Sequence, residues 1–151
     1  MTRRSLLRRS TLITPNLPEA ARLADESIPQ DLAGIKVLAE RLHSMGAPAV
    51  LVKGGHLSGP EAIDLLFDGA DHRVFRAPRV ETANTHGTGC TLSSAIAAYL
   101  AQGKTLVQAI EAAKHYLTAA LAQSGRLRVG RGHGPVHHLH PLWPSEPAEV
   151  R

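Results

Sequence analysis

The most informative segment of this chain is NTHGTGCTLSSAIAAYLA, which runs from Asn84 to Ala101. Gly87 and Gly89 stand directly before apolar residues that repeat at helical spacing, namely Leu92, Ala95, Ile96, Tyr99 and Leu100. Glycines allow a sharp turn that brings successive backbone N–H groups toward one point, and a helix N-terminus adds free donors and a positive dipole end. The segment therefore predicts an anion hole. A phosphoryl group in transfer is its natural occupant, because the transition state spreads negative charge over oxygens.

Cys90 stands at the start of the same predicted helix. A helix N-terminus favours the thiolate form of a cysteine, which could act as a general base on a substrate hydroxyl or as a nucleophile. A small buried cysteine without a chemical role is the third interpretation. The motif is neither the phosphate-binding loop GxxxxGKS/T nor the dinucleotide fingerprint GxGxxG. Position alone leaves the three interpretations open.

The remaining sequence alternates between strand and helix patterns. The predicted elements are a strand at 11–14, a helix from Asn16 that stops before Pro29, a helix at 31–45, a buried parallel strand at 49–52, a hairpin of strands at 62–67 and 73–77, a helix from 89 that Gly103 ends, and a helix at 105–124. Residues 130–151 are rich in Gly, Pro and His, which predicts a loop. This order predicts an α/β layered protein with a mixed sheet.

Two further positions are candidates for phosphate chemistry. Asn16 and Glu19 are spaced i, i+3, so an amide oxygen and a carboxylate could organise a hydrated magnesium ion, although the same pattern is that of a helix capping box. Lys53 follows a buried strand and precedes Gly54 and Gly55. A lysine there could neutralise phosphate charge at the ligand crevice, or it could be an exposed strand-end lysine.

Composition excludes several classes of protein. The chain has 151 residues and one cysteine, so an intrachain disulfide and a multi-cysteine zinc site are excluded, and no apolar run is long enough for a membrane span. Four of the 17 Lys and Arg residues lie within the first ten positions; without them, basic and acidic residues are equal at 13 each. With 3% aromatic residues, the body does not resemble a nucleic-acid-binding domain.

The basic N-terminus lacks the apolar stretch of a secretion signal, which predicts a cytoplasmic protein. The four clustered histidines at 133, 137, 138 and 140 lack an HExxH pattern and a carboxylate partner, so a tail folded against the body is favoured over a metal site.

Together the motifs resemble those of hydroxymethylpyrimidine/phosphomethylpyrimidine kinase, a thiamine-biosynthesis family of the ribokinase-like superfamily. The matching segments are TLITPNLPEAARL at 11–23, VLVKGGHL at 50–57, NTHGTGCTLSSAIAAYLA at 84–101 and GHGPVHHLHPLW at 132–143. The resemblance implies a ribokinase-like layered α/β/α sheet, of which this chain is the C-terminal part. Residues 1–10 are then a basic leader, residues 11–143 the C-terminal half of the kinase domain, and residues 144–151 a flexible tail.

The resemblance also implies roles for the candidate residues. Gly87, Thr88 and Gly89 would form the anion hole for the transferring γ-phosphate, and Cys90 would be the general base on the pyrimidine's hydroxymethyl group. Asn16 and Glu19 would organise magnesium, through water, and phosphate. Lys53, Thr85 and His86 would lie near the ATP phosphates. The expected cofactors are ATP and Mg²⁺, and the expected substrate is 4-amino-5-hydroxymethyl-2-methylpyrimidine or its monophosphate.

One departure from the family leaves two hypotheses. Family members carry an N-terminal half with most of the pyrimidine pocket, whereas here ten residues precede Thr11. The chain could be a kinase that is completed by self-association or by a separate N-terminal half, since an exposed apolar sheet edge favours association. Alternatively, it could be a non-catalytic remnant that binds nucleotide or self-associates.

Overall fold

The computed structural model describes residue 5, residues 7–55 and residues 59–143. The chain divides into two compact units, Met1–Arg79 and Val80–Arg151, and each is described by itself. Half of the predicted leader (residues 1–4 and 6), the histidine and leucine of the GGHL motif at 56–57, and the predicted tail at 144–151 lie outside the described residues.

Two helices of the first unit begin close to the positions predicted for them. Helix α1 spans Leu17–Ala24 and helix α2 spans Leu32–Ser44. Asn16 caps α1, and Asp31 caps α2 by accepting a hydrogen bond from the Gly34 N–H at 2.8 Å. The apolar faces predicted from spacing are buried, namely Leu17, Ala20, Ala21 and Ala24 on α1 and Ile35, Leu38, Ala39 and Leu42 on α2.

The sheet of the first unit has three strands in the order β1 (Val50–Lys53), β2 (Glu61–Phe67) and β3 (His72–Pro78). Both neighbouring pairs are antiparallel, with Leu51 opposite Leu66 and Leu65 opposite Val74. The predicted parallel pairing of β1 holds only on its other side, where single bridges join Ile13 to Val50 and Asn16 to Lys53. The prediction of parallel pairing is wrong for β1 and β2. A strand whose two faces are both buried is fully apolar whether its neighbour runs parallel or antiparallel, so the apolar sequence did not distinguish the two directions.

The predicted hairpin between β2 and β3 is confirmed. The Asp68 carboxylate accepts hydrogen bonds from the N–H groups of Asp71 and Ala70 at 2.9 and 3.0 Å. These bonds hold the pKa of Asp68 below its ordinary value. Gly69 has φ +93°, a conformation that side chains disfavour, so both the acid and the glycine suit this turn.

The core of the first unit lies between its sheet and helices. Leu42, Val50, Val52 and Leu65 are at most 1% exposed. Leu7 belongs to the same cluster at 5% exposure, so this residue of the predicted leader is part of the core of the first unit.

The second unit contains helix α3 (Thr88–Ala101), helix α4 (Leu106–Ala122) and two short 3-10 turns. Thr105 begins α4 with a capping box to Gln108. The predicted apolar stripes are buried most deeply at Leu92, Ile96, Ala109, Ile110, Ala113 and Ala120. Residues 134–137 pack onto this unit, as predicted for the loop after α4. Within the described part of the chain, the helices lack the length and apolar character that crossing a membrane requires.

Candidate functional site

The N-terminus of α3, where an anion hole is predicted, is formed by a glycine turn. Gly87 is the N-cap residue and adopts φ +83° and ψ 2°, with no side chain capping the helix. The Thr91 N–H closes the first turn on the Gly87 carbonyl at 2.8 Å. Within the described residues, no acceptor takes a hydrogen bond from the N–H of Gly89 or Cys90. These two donors are therefore open to a ligand at the positive end of α3.

Neighbouring hydroxyl groups turn back onto the loop rather than toward this opening. Thr88 Oγ1 donates to the Thr85 carbonyl, and Thr91 Oγ1 donates to the Gly87 carbonyl at 2.8 Å. Thr85 and His86 are exposed. These bonds fix the loop backbone and occupy both threonine hydroxyls, so among the described residues the free donors at this helix end are the backbone N–H groups of Gly89 and Cys90.

Cys90 is an exposed free thiol on the first turn of α3. It lines a pocket of about 520 Å³ that begins at Gly87 and follows one side of α3. The other lining residues are Thr91, Ser94, Ala95, Ala98, Tyr99, Gln102, Tyr116 and His138. The interpretation of Cys90 as a small buried cysteine is therefore wrong, while the base and nucleophile interpretations both fit an accessible thiol. Sequence reasoning did not place Tyr116 and His138 here, because their proximity to α3 depends on tertiary packing.

Asn16 and Glu19 in the first unit form a reciprocal capping box. Asn16 Oδ1 accepts from the Glu19 N–H, and Glu19 Oε2 accepts from the Asn16 N–H, both at 2.8 Å. Glu19 also lines a second pocket, of about 510 Å³, together with Thr14, Pro15 and Arg22. The capping interpretation is confirmed, and Glu19 remains an exposed carboxylate.

The chemistry of this pair suits a hydrated magnesium ion. Magnesium prefers oxygen ligands and keeps several waters, so it needs only one or two carboxylates from the protein beside phosphate oxygens. Within the described residues no three histidine, cysteine, aspartate or glutamate side chains cluster as a metal site. A metal held here would therefore depend mainly on water and phosphate.

Lys53 ends β1 and is half-buried. Its N–H donates to the Pro15 carbonyl at 2.8 Å, which holds the strand end beside the Asn16 cap. Asp64 lies opposite Lys53 in the sheet register and is 6% exposed, and its carboxylate accepts from the Gly54 N–H at 3.3 Å. Sequence reasoning missed Asp64, although an acid within the apolar strand EAIDLLF is a signal of a specific buried role.

The predicted residues therefore fall into two sets. Asn16, Glu19 and Lys53 are brought together in the first unit, where a bridge joins Asn16 to Lys53. The other set, in the second unit, consists of Thr85, His86, Gly87, Thr88, Gly89 and Cys90 on the loop and first turn of α3.

Comparisons with known proteins point to one family. Residues 1–137 match the family model described as phosphomethylpyrimidine kinase. The hydroxymethylpyrimidine/phosphomethylpyrimidine kinase of Rhizobium meliloti is 53% identical over 138 residues, which cover 91% of this chain and 52% of that protein. A thiamine biosynthesis bifunctional protein of Geobacter sulfurreducens is 53% identical over 128 residues, which cover 85% of this chain and 26% of that protein.

Solved structures support the predicted ribokinase-like α/β fold. The ADP complex of Bacillus subtilis pyridoxal kinase superposes with a TM-score of 0.86 at 35% identity. The superposition covers 94% of this chain and 53% of that one. This chain thus spans about half the length of the kinases that it matches.

Proposed function

Because this chain belongs to the phosphomethylpyrimidine kinase family, we propose that it takes part in ATP-dependent phosphorylation of 4-amino-5-hydroxymethyl-2-methylpyrimidine or its monophosphate. The reaction would serve thiamine biosynthesis, the process named for the Geobacter relative. ATP is the proposed phosphoryl donor, because the pyridoxal kinase that superposes on this chain was solved with ADP.

The observation that carries the proposal is the open N-terminus of α3. Gly87 turns in the left-handed region, and the N–H groups of Gly89 and Cys90 have no partner within the described residues. We propose that Gly87, Thr88 and Gly89 surround the γ-phosphate during transfer. Donors aimed at a developing negative charge are often worth about 10²–10³ in kcat each.

Cys90 is the proposed general base. Its exposed thiol lies on the same turn as the proposed anion hole, so one ligand could meet both. The hydroxymethyl oxygen would attack the γ-phosphorus, its proton would pass to Cys90 Sγ, and the bond from phosphorus to the β–γ bridging oxygen would break to release ADP. A base is preferred to a nucleophile because this direct transfer needs no covalent enzyme intermediate.

Asn16, Glu19 and Lys53 are proposed to serve the nucleotide phosphates. Glu19 would hold a hydrated Mg²⁺ beside the Asn16 amide, and the Lys53 ammonium would balance phosphate charge. Magnesium supplies charge neutralisation on the phosphates when bound. Thr85 and His86 precede the anion hole and are proposed to contact ATP through the exposed side of the loop.

Completion of the site is proposed to require further protein surface. The chain covers 52% of the Rhizobium kinase and 26% of the Geobacter bifunctional protein, and we expect most of the pyrimidine contacts to come from the half of the kinase domain that this chain does not match. We propose that either self-association or an N-terminal half supplies that surface.

Pyrimidine-dependent ADP release by the purified chain tests this function, with Cys90→Ser as the matched variant. The proposal expects turnover in the wild type and a loss of turnover in the variant, while the thermal unfolding of the two proteins stays the same. Addition of a relative's N-terminal half should raise the rate if that half completes the site. Full activity in Cys90→Ser would contradict the role of the thiol, and no turnover in any mixture would contradict the proposed activity.

A further inference from the structure

The loop before α3 is bonded to the segment that follows α4, residues 133–138, here called the strap. The His86 N–H donates to the Gly134 carbonyl at 3.1 Å, and His86 and Pro135 form a parallel bridge. Earlier in both segments, His133 Nδ1 lies 3.3 Å from the Ala83 carbonyl oxygen. The strap therefore runs alongside the three residues that lead into the proposed anion hole.

Asn84 ties the same loop to the 3-10 turn that follows α4, Ser124–Arg126. Its Nδ2 donates to the Ser124 carbonyl at 2.6 Å, and its backbone N–H donates to Thr82 Oγ1 at 3.1 Å. Thr82 Oγ1 and Ser124 Oγ are 2.9 Å apart, and Ser124 is fully buried. Asn84 is thus held by a connected polar network that reaches the 3-10 turn after α4.

Gly134 fits against Asn84 with no room for a side chain. A β-carbon at Gly134 would overlap Asn84 Oδ1 and come within 2.6 Å of Asn84 Cγ. By contrast, a β-carbon at Gly132, two residues earlier, would meet nothing within 4 Å. The close approach lets the Gly134 carbonyl reach the His86 N–H.

The strap is itself fixed to α4. Val136 and His137 are 1% exposed, and the His137 N–H donates to the Ala120 carbonyl at 3.1 Å. The Tyr116 hydroxyl donates to the His138 carbonyl at 2.9 Å. A displacement of the strap at Gly134 would therefore be taken up mainly by the loop, because the next residues are anchored in the core.

We infer that Gly134 and Asn84 are positioning residues that set the conformation of residues 84–90, and through it the direction of the open N–H groups of Gly89 and Cys90. The part that concerns catalysis rests on the proposed function. The part that concerns loop geometry does not, because it follows from contacts within the second unit.

Alkylation of Cys90 by iodoacetamide reports on this geometry without any need for activity. The chain has one cysteine, so the signal comes from the first turn of α3 alone. We expect Gly134→Ala to slow alkylation at neutral pH by roughly two- to fivefold, since that is the range of a helix terminus acting on a charged group. The matched control Gly132→Ala should react as the wild type does.

Asn84→Ala provides a second route to the same result. It should also slow alkylation, and the double variant should react like either single variant rather than showing the product of both effects, because the two residues act through one contact. If Gly134→Ala fails to fold, Asn84→Ala carries the test. Wild-type alkylation rates in folded Asn84→Ala, or in folded Gly134→Ala, would overturn the inference.

The catalytic part has a separate readout. If the wild type turns over, both variants should lower kcat by about tenfold or more while the KM for ATP changes less, as expected for interactions that matter most in the transition state. Slowed alkylation without wild-type turnover would sustain the positioning role and reject the proposed function. Slowed alkylation with unchanged kcat would restrict the role to loop geometry and overturn its catalytic part.

Discussion

Gly87→Ala tests the anion hole most directly, because the structure provides a matched control on the same helix. Gly87 precedes α3 with φ +83°, and Gly103 follows it with φ +82°. A β-carbon at either position would meet nothing within 4 Å. Both substitutions therefore impose the same backbone strain and add no steric overlap.

The expected loss of stability is the same for the two variants. Left-handed backbone costs a residue with a side chain about 1–2 kcal/mol, and the stiffer unfolded chain returns part of it, so the net loss is roughly 1 kcal/mol. For a chain of this length, that corresponds to a fall in Tm of about 2–4 °C. Urea unfolding followed by circular dichroism measures the free energy in both variants.

Function should separate the two variants. Gly87→Ala moves the turn that opens the Gly89 and Cys90 N–H groups, so ADP release should fall about tenfold or more, whereas Gly103→Ala should keep the wild-type rate. Equal losses of activity in the two variants would show that strain in α3, not the anion hole, matters. An unaffected rate in Gly87→Ala would refute the assignment of this loop.

Three other predictions concern stability. Leu66 is fully buried in the sheet, so Leu66→Ala should lower the free energy of unfolding by about 2–5 kcal/mol. Val37 is 66% exposed, so the control Val37→Ala should change that free energy by less than about 0.5 kcal/mol. Denaturant titration measures both values, and equal losses in the two variants would contradict the prediction. Thr105→Ala removes the cap of α4 and should cost about 1 kcal/mol in the same titration, and an unchanged midpoint would show that the capping box is dispensable. Burial lowers the pKa of His137 below its ordinary value of 6.5, so the unfolded chain binds a proton more readily than the folded chain. The stability that this histidine contributes above pH 6.5 is therefore lost as the pH falls through the folded pKa. The Tm of the wild type should therefore fall relative to that of His137→Gln below pH 6.5, and parallel Tm curves would exclude this effect.

Local signals in the sequence predicted much of this structure. Asn16 and Thr105 each begin a helix, because a short polar side chain followed three residues later by Glu or Gln satisfies the end of a helix without help from the rest of the fold. The hairpin turn at Asp68 and Gly69 is local for the same reason. Family resemblance, rather than spacing, is the source of the role proposed for Cys90.

Features that depend on distant partners could not be predicted. The direction of β1 relative to β2 is set by the chain's path, because Leu51 and Leu66 would be equally apolar in either orientation. Nothing within the motif at 84–91 reveals that Asn84 bonds to Ser124, forty residues later. The buried carboxylate of Asp64 likewise finds a hydrogen-bond donor in the Gly54 backbone, ten residues earlier in the sequence.

The two sides of β1 differ in how far apart their partners are along the chain. On one side β1 pairs with β2, which is the next strand along the chain, and β2 pairs with β3. On the other side Val50 pairs with Ile13, and both helices lie between these two residues in the sequence. Short loops close faster than long ones, so the three strands can pair before Ile13 joins them. Changes in the turn at 68–71 should then slow refolding, whereas changes that weaken only the Ile13 pairing should speed unfolding. The first unit would thus fold from its sheet toward the segment that carries Asn16.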